Sequence, residues 1–211
     1  MKSSMDLNST TCKPGKPIAW TIGCQVKLIK WGLRRRPPFG HHHGVNPDTE
    51  HAMTQTPFNV RPYQPDDRDA LLNLAVHDEQ IPFVGHMADL LAANSATRHP
   101  FVLETNGTLV GFFHIDTGYA DEYDFAHAGD VGLRAFLIDH RHQGNGFGRQ
   151  TMTHLPRLMQ THFPHAKRLV LTVNCKNPTA YQLYCRNGFI DDGELYHGGA
   201  AGPQHVLRMP L

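Results

Sequence analysis

The sequence predicts a mixed α/β fold, in which helices pack against a central sheet of about seven strands. Strand-like and helix-like apolar patterns alternate from Phe58 to the C-terminus. An Asn106-Gly107 pair joins two apolar runs, and a glycine-rich turn joins an apolar strand to an amphipathic helix. The 211 residues are 40% hydrophobic and 18% charged, which is typical of a globular domain and excludes a wholly disordered chain, a coiled coil and collagen.

The first part of the predicted domain contains three strands and two helices. Strands are expected over residues 58–61, 101–105 and 109–115. The last two form a hairpin, because Asn106-Gly107 supplies the positive φ angles that a two-residue turn requires. A first helix starts at Pro65, Asp66 and Asp67, and a second short helix is predicted over residues 84–93.

The second part continues the alternation of strands and helices. A polar, acidic loop covers residues 117–130. The later strands are predicted over residues 133–139, 169–173, 189–196 and 205–209. The later helices are predicted over residues 146–162 and 178–187. The complete order is β-α-α-β-β-β-α-β-α-β-β, which predicts one mixed sheet with helices packed against it.

Charge and apolar patterning divide the chain into two parts. Residues 1–52 carry eight Lys and Arg against three Asp and Glu, a net charge of +5, whereas residues 53–211 carry twelve against sixteen, a net charge of −4. We interpret residues 1–52 as a basic, poorly ordered extension and residues 53–211 as the folded domain. The mildly acidic domain argues against nucleic acid as a partner, because phosphate binding needs a concentrated basic face. The apolar stretch over residues 18–26 is about half of the roughly 20 residues that a membrane span needs, which excludes an integral membrane protein.

The origin of the extension stays open. It fits a mitochondrial-type leader, a tag remnant, or a misread start upstream of Met53. The triplet His41 to His43 could hold a metal, but a tag remnant or a solvated run explains it better, and no metal is predicted. The four cysteines form no CxxC pair, which favours a reducing compartment and a cytoplasmic location; they are Cys12, Cys24, Cys175 and Cys185.

A glycine-rich turn over residues 143–148 is the first segment that indicates a ligand. Gly144, Gly146 and Gly148 alternate with Asn145 and Phe147, between a buried strand and a helix. Such a turn exposes backbone N–H groups at a helix N-terminus, where the helix dipole adds positive charge, and the two together favour an anionic pyrophosphate. The spacing matches neither the dinucleotide fingerprint nor the P-loop. Alone, the turn is also compatible with a purely structural role.

A second segment, over residues 173–189, makes the pattern specific. With both segments, the chain resembles the GNAT superfamily of acetyl-CoA-dependent N-acetyltransferases. Gln143 to Gly148 match the family's Q/R-x-x-G-x-G/A signature, and the second segment matches its block of strand, Asn, helix, Tyr, Gly and Phe as Asn177, Tyr184, Gly188 and Phe189. The resemblance covers about residues 58–211, and it implies a GNAT-type central mixed sheet with helices on both faces. The family often has Pro where this chain has His140.

The resemblance also implies which residues bind acetyl-CoA as co-substrate. Backbone groups of one strand would pair with the pantetheine arm, at Phe136, Leu137 and Ile138. The turn would hold the pyrophosphate, through Gln143, Gly144, Asn145, Gly146, Phe147 and Gly148. Asn177 would fix the pantetheine region, and it could at the same time be a helix N-cap before Pro178. Tyr184 would lie near the thioester sulfur, with ordinary core packing as the alternative role.

The chemistry of a thioester and an amine predicts a direct reaction in a ternary complex. The unprotonated amine attacks the acetyl carbonyl, and N–H groups of residues 136–138 face the developing negative charge. The departing thiolate takes a proton, which Tyr184 could supply. Neither Cys175 nor Cys185 has a base defined by a motif, so an acyl-cysteine intermediate is not expected.

The acceptor and the general base are less well defined by the sequence. The candidates for the base are Glu79, His114, Asp116 and Glu122, and each is expected to be a solvated surface or turn residue. The acidic runs 78–79 and 121–124 favour a cationic, polyamine-like small amine. A protein amine stays open as acceptor, and so does a homodimer.

Two other functions are compatible with the same sequence. A catalytically silent acetyl-CoA sensor would keep the fold and the phosphate turn, but it would need no acid at the sulfur. The basic run Arg34 to Arg36 could bind nucleic acid or a membrane surface, but it is short and isolated. Acetyl-CoA-dependent thiol release with a panel of amines separates the enzyme from the sensor.

Overall fold

The computed structural model describes residues 58–93 and 95–211 of the chain. The predicted basic extension over residues 1–52 and the alternative start at Met53 lie outside the described residues. The strands are β1 (Phe58–Pro62), β2 (Arg98–Thr105), β3 (Thr108–Asp116), β4 (Asp130–Ile138), β5 (Arg168–Asn174), β6 (Ile190–Tyr196) and β7 (Gln204–Pro210). The α-helices are α1 (Arg68–Leu72), α2 (Ile81–Val84), α3 (Met87–Ala92), α4 (Tyr119–Glu122), α5 (Phe147–His162) and α6 (Pro178–Arg186).

The described strands form one seven-stranded mixed sheet, in the order β1-β2-β3-β4-β5-β7-β6. The β4–β5 pair is parallel, and every other neighbouring pair is antiparallel. The β2–β3 hairpin turns at Asn106 and Gly107, whose φ angles are 49° and 73°. Both values lie in the left-handed region that the Asn-Gly pair predicts. The predicted fold class is therefore confirmed.

Helices cover both faces of the sheet. On one face, α5 buries its apolar stripe, including Met152, Leu155 and Met159, against the strands. These positions recur at helical spacing, so the amphipathic pattern of the sequence fixes which side of α5 faces the sheet. On the other face, Leu71 of α1 and Leu91 of α3 pack with the inner residues of β2 and β3.

Several element boundaries differ from the sequence-based predictions. The helix expected over residues 84–93 begins only at Met87, because Gly85 adopts φ +87° and ends a separate short helix, α2, at Val84. β2 begins at Arg98 rather than Phe101. β4 begins at Asp130 rather than Leu133, since Asp130 is buried and accepts both hydrogen bonds of the Arg168 guanidinium at 2.8 Å across the parallel pair. The loop predicted over residues 117–130 contains α4.

No helix in the described ranges combines the length and the apolar character that crossing a bilayer requires.

Candidate active site

The site begins where the two parallel strands separate. β4 and β5 pair only between Asp130–Gly132 and Arg168–Val170, although both strands continue for several residues. β4 also bulges at Ala135, which has φ +53°, so that two of its residues lie opposite Phe113 of β3. Past Gly132, the edge of β4 that faces β5 has no strand partner. Backbone donors and acceptors along that edge are therefore available to a ligand.

A cleft of about 640 Å³ occupies this separation. Its walls come from β4, the glycine turn, α6, α2, α4 and the loop before β7. Ten of the eleven predicted site residues line it, namely Phe136, Leu137, Ile138, Gln143, Gly144, Gly146, Phe147, Gly148, Asn177 and Tyr184. The structure thus brings together residues that the sequence separates into two distant segments.

Asn145 is the predicted site residue that does not line the cleft. Its side-chain amide donates to the carbonyl oxygen of His142 at 3.0 Å and to that of Gln143 at 3.4 Å. The Asn145 side chain therefore closes the turn on itself, which leaves the backbone N–H of Asn145 for the predicted contact with the pyrophosphate.

The glycine turn has the open backbone that an anion needs. Gly144 and Gly146 adopt φ angles of +78° and +80°, and a Cβ placed on either would meet nothing within 4 Å. Glycine is favoured here by the left-handed backbone, and the space above the turn is free. The first helical hydrogen bond of α5 runs from Gln150 N–H to the Gly146 carbonyl, at 3.0 Å. The preceding N–H groups of α5 have no acceptor within the helix, so the turn fits a pyrophosphate.

Two side chains next to the turn fix its position. Asp139 is fully buried and accepts from the backbone N–H of Ala75 at 3.0 Å and from the Arg141 guanidinium at 2.7 and 2.9 Å. Burial alone would raise the pKa of Asp139. The Arg141 side chain and the backbone N–H groups of Ala75 and Arg141 lower that pKa to about 2. Gln143 donates to the Ile138 carbonyl at 3.0 Å and to the Gln80 side chain at 2.9 Å. The sequence analysis did not identify Asp139. Its position between a strand and a tight turn was the feature that could have indicated its role.

The N-terminal end of α6 places Asn177 at the edge of the cleft. The Asn177 side chain accepts from the backbone N–H of Ala180 at 3.1 Å, and Pro178 occupies the first helical position. Asn177 is therefore the helix N-cap that the sequence analysis gave as its alternative role. It also lines the cleft, so capping does not prevent contact with a ligand.

About two turns further along α6, Tyr184 reaches the cleft from the core. Its side chain is 7% exposed and lies between the rings of Phe136 and Phe189, with ring centroids 6.3 and 5.5 Å away. Burial raises the pKa of the Tyr184 hydroxyl above its ordinary value, so the phenol is neutral at physiological pH. It can donate a proton or a hydrogen bond from this position.

An arginine and two tyrosines form the end of the cleft opposite the glycine turn. Arg134 of β4 lies 5.6 and 5.4 Å from the ring centroids of Tyr119 and Tyr123. The Arg134 guanidinium donates to Asp116 at 2.8 Å and to Glu122 at 2.6 Å. The sequence analysis did not identify Tyr119 or Arg134 as site residues, and no motif marks them, because their contact depends on how the loop after β3 folds back onto β4.

The expectation that His114 and Asp116 are solvated is wrong. Both lie on β3, and their exposures are 2% and 0%. Desolvation, assisted by the positive charges of Arg98 and Arg134, lowers the pKa of His114 to about 4. Asp116 accepts from Arg134 and from the backbone N–H of Gly118 at 3.0 Å. Both side chains are buried and lie outside the cleft lining, so they are not placed to exchange protons with an acceptor.

The other two candidates for the general base are accessible but do not line the cleft. Glu79 is exposed, as predicted. Glu122 is 43% exposed and forms ion pairs with Arg134 and, at 3.5 Å, with Arg98. None of the four candidates is therefore assigned as the base.

Across residues 58–93 and 95–211, no group of three or more histidine, cysteine or acidic side chains is arranged to hold a metal ion. The prediction that the protein needs no metal stays a prediction.

Three features together define an acetyltransferase fold. They are the seven-stranded sheet, the separation of its parallel pair and the glycine turn at the start of α5. The family model of the acetyltransferase (GNAT) family matches residues 62–189. The chain belongs to this family, and it is an acyltransferase.

Several known proteins are similar to this chain. A spermine/spermidine N(1)-acetyltransferase of Bacillus subtilis (strain 168) is 32% identical over 149 residues, which are 67% of this chain and 93% of the relative. Among solved structures, AAC(6')-Ib in complex with Parmomycin and AcetylCoA has a TM-score of 0.58 at 18% identity, covering 72% of this chain and 93% of that one. A spermidine N-acetyltransferase from Vibrio cholerae in complex with CoA and spermine has a TM-score of 0.53 at 21% identity, covering 73% and 94%. The two solved structures, at 18% and 21% identity, show a shared fold.

Proposed function

We propose that the protein transfers an acetyl group from acetyl-CoA to a small primary amine in a ternary complex. The observation that carries this proposal is the single continuous cleft along β4, with the glycine turn at one end and Tyr184 beside its middle. The shape suits an elongated thioester, with a phosphate-binding backbone at one end and a buried phenol further along. Solved neighbours in complex with AcetylCoA or CoA support this choice of donor.

We propose that different parts of the donor lie against different parts of the cleft. Backbone N–H groups of Gly144 to Gly148 would hold the pyrophosphate, and the unpaired edge of β4 from Phe136 to Ile138 would pair with the pantetheine amides. Acetyl-CoA supplies the acetyl thioester. N–H groups of the same edge are the available donors toward the carbonyl oxygen on which negative charge develops.

Tyr184 is the side chain proposed to protonate the departing thiolate. Its raised pKa keeps the proton on the phenol until a base appears next to it. The same poorly solvated surroundings also raise the basicity of a thiolate, which keeps the transfer feasible. Cys175 and Cys185 do not line the cleft, in agreement with direct attack by the amine.

The acceptor is proposed to be a polyamine-like amine. The B. subtilis relative carries the name of a spermine/spermidine N(1)-acetyltransferase, and that likeness supports this class. In this chain, the rings of Tyr119 and Tyr123 line the acceptor end, and exposed carboxylates flank it in sequence at Asp121 and Glu122. No carboxylate lines the described part of the cleft, so the amine is expected to enter as its neutral fraction. A protein amine remains the second acceptor class to be tested.

The test is acetyl-CoA-dependent thiol release with spermidine, spermine, simple alkyl monoamines and a peptide with a free N-terminus. Turnover that is greatest with the polyamines, and whose kcat/KM rises with pH as the acceptor loses its proton, supports the proposal. Binding of acetyl-CoA without turnover of any amine would instead favour the catalytically silent sensor. A cytoplasmic location and the absence of nucleic-acid and membrane partners stay predictions.

A further inference from the structure

Tyr119 closes the cleft at the point where β4 and β5 come together. Its side chain is 2% exposed and lines the cleft. A Cβ on Gly132, the last residue of β4 that pairs with β5, would overlap the Tyr119 ring. The Tyr119 ring also packs in one cluster with Val170, the last residue of β5 that pairs with β4. The ring therefore bridges the two strands at their last paired residues.

The position of this ring bears on the donor, because the donor is proposed to lie along β4. The pyrophosphate end is assigned to the glycine turn, and the sulfur to the level of Tyr184 and Phe136. What continues beyond the sulfur, toward the beginning of β4, is the acyl group. A strand rises about 3.3 Å per residue, so roughly 10 Å separate Ala135 from Gly132, and the Tyr119 ring takes up part of that length.

We propose that Tyr119 is a specificity-determining residue that restricts the donor to a two-carbon acyl group. The proposal rests on the proposed function, since it needs a thioester in the cleft. Longer acyl chains would have to displace a ring that cannot move easily. The Tyr119 ring packs against Tyr123 and Phe125, with centroids 4.6 and 5.9 Å away, and its other neighbours include Arg134. Overpacking against a fixed wall is unfavourable, so each additional methylene lowers the reactivity of the donor.

Gly132 leaves the space that the Tyr119 ring occupies. Any side chain at this position would push the Tyr119 ring away from the strand, so glycine is required for a close approach. Tyr196 provides the contrast within the same aromatic group. Its ring lies 5.5 and 5.3 Å from those of Tyr123 and Phe125, but the Tyr196 side chain does not line the cleft.

The experiment compares Tyr119→Ala with the matched control Tyr196→Ala in the full chain. Acetyl-CoA and butyryl-CoA are used as donors, with the best amine of the panel. For Tyr119→Ala, the ratio of kcat/KM for butyryl-CoA to that for acetyl-CoA is expected to rise about tenfold or more over wild type. The ratio should not change in Tyr196→Ala, nor in Tyr119→Phe, which keeps the ring.

A second readout needs no turnover. Without acceptor, butyryl-CoA should raise the melting temperature of Tyr119→Ala more than acetyl-CoA does, and the order should be reversed in wild type. If Tyr119→Ala does not fold, Tyr119→Leu keeps an apolar filling and removes the ring, and the same two comparisons apply.

Two results would overturn the role proposed for Tyr119: an unchanged donor preference in folded Tyr119→Ala or Tyr119→Leu, or an equal gain in Tyr196→Ala. Both leave the proposed function standing, because they require a donor that binds. A wild-type protein that no acyl-CoA stabilises would instead overturn the proposed function, and with it the role proposed for Tyr119.

Discussion

Tyr184 is the residue whose substitution best separates an enzyme from a binding protein. Tyr184→Phe keeps the ring between Phe136 and Phe189 and removes only the hydroxyl. If that hydroxyl protonates the thiolate, kcat should fall by about 10²–10⁴-fold. Acetyl-CoA affinity should change by no more than about 1 kcal/mol, the usual net worth of a neutral hydrogen bond. Single-turnover kinetics and calorimetry measure the two quantities separately.

Tyr181→Phe is the matched control for that substitution. Tyr181 lies on the same helix, but its hydroxyl donates to Asp191 at 2.9 Å, and the side chain does not line the cleft. The control should keep the chemical rate of wild type. A wild-type rate in Tyr184→Phe as well would refute the role as an acid and leave the tyrosine as a packing residue.

His114 makes the folded state sensitive to acid. Its pKa of about 4 in the folded protein lies below the ordinary value of 6.5, because burial and two arginines disfavour its charged form. The unfolded chain therefore binds a proton more readily, and stability falls as the pH drops from about 6.5 through 4. At about 1.4 kcal/mol per unit, the loss assigned to His114 is about 3 kcal/mol.

The free energy of unfolding, measured in urea at pH 7 and at pH 4, checks this expectation. His114→Leu should lose less stability than wild type over this interval, by about 3 kcal/mol. The same substitution at His165, which is exposed, serves as the control, since a side chain that stays in water loses no hydration on folding. Equal losses in wild type and His114→Leu would contradict the assignment.

At the scale of elements, the glycine turn and the start of α5 act as one unit. Gly146→Glu would place a side chain and a negative charge against the phosphates, so acetyl-CoA affinity should fall by at least about 100-fold, or about 2.7 kcal/mol. Calorimetry checks this. Gly107→Glu controls for backbone strain, because Gly107 also has a positive φ and open space above it. Gly146→Gln separates bulk from charge, and wild-type affinity in Gly146→Glu would show that the turn is only structural.

The elements that the sequence predicts best are those with local signals. The Asn106-Gly107 turn, the apolar stripe of α5 and the N-cap at Asn177 each depend on residues close together in the chain, and all three appear in the structure. The break at Gly85 was missed, because a glycine is also tolerated within a helix, and α4 was missed because four residues are too few to show a period.

At the scale of the whole molecule, the site depends on relations that no short segment contains. The two motifs locate the glycine turn and α6, but the cleft between them exists because β4 and β5 stop pairing after Gly132. The ring of Tyr119 in that gap and its contact with Arg134 follow from long-range packing. The sequence therefore predicts the donor side of the site residue by residue, and it leaves the acceptor side to the tertiary structure.

The last prediction concerns the independence of the domain. In the described ranges, β1 to β7 form one sheet and the apolar cores are built from residues between Phe58 and Met209. The B. subtilis relative is matched over 93% of its own length by 149 residues of this chain. We therefore expect residues 53–211 to keep the free energy of unfolding and the acetyl-CoA binding free energy of the full chain, each within about 1 kcal/mol. Thermal unfolding and calorimetry of both forms test this. A large loss of stability on removal of residues 1–52 would show that this segment packs on the domain, and an unchanged stability with weaker binding would place it at the cleft.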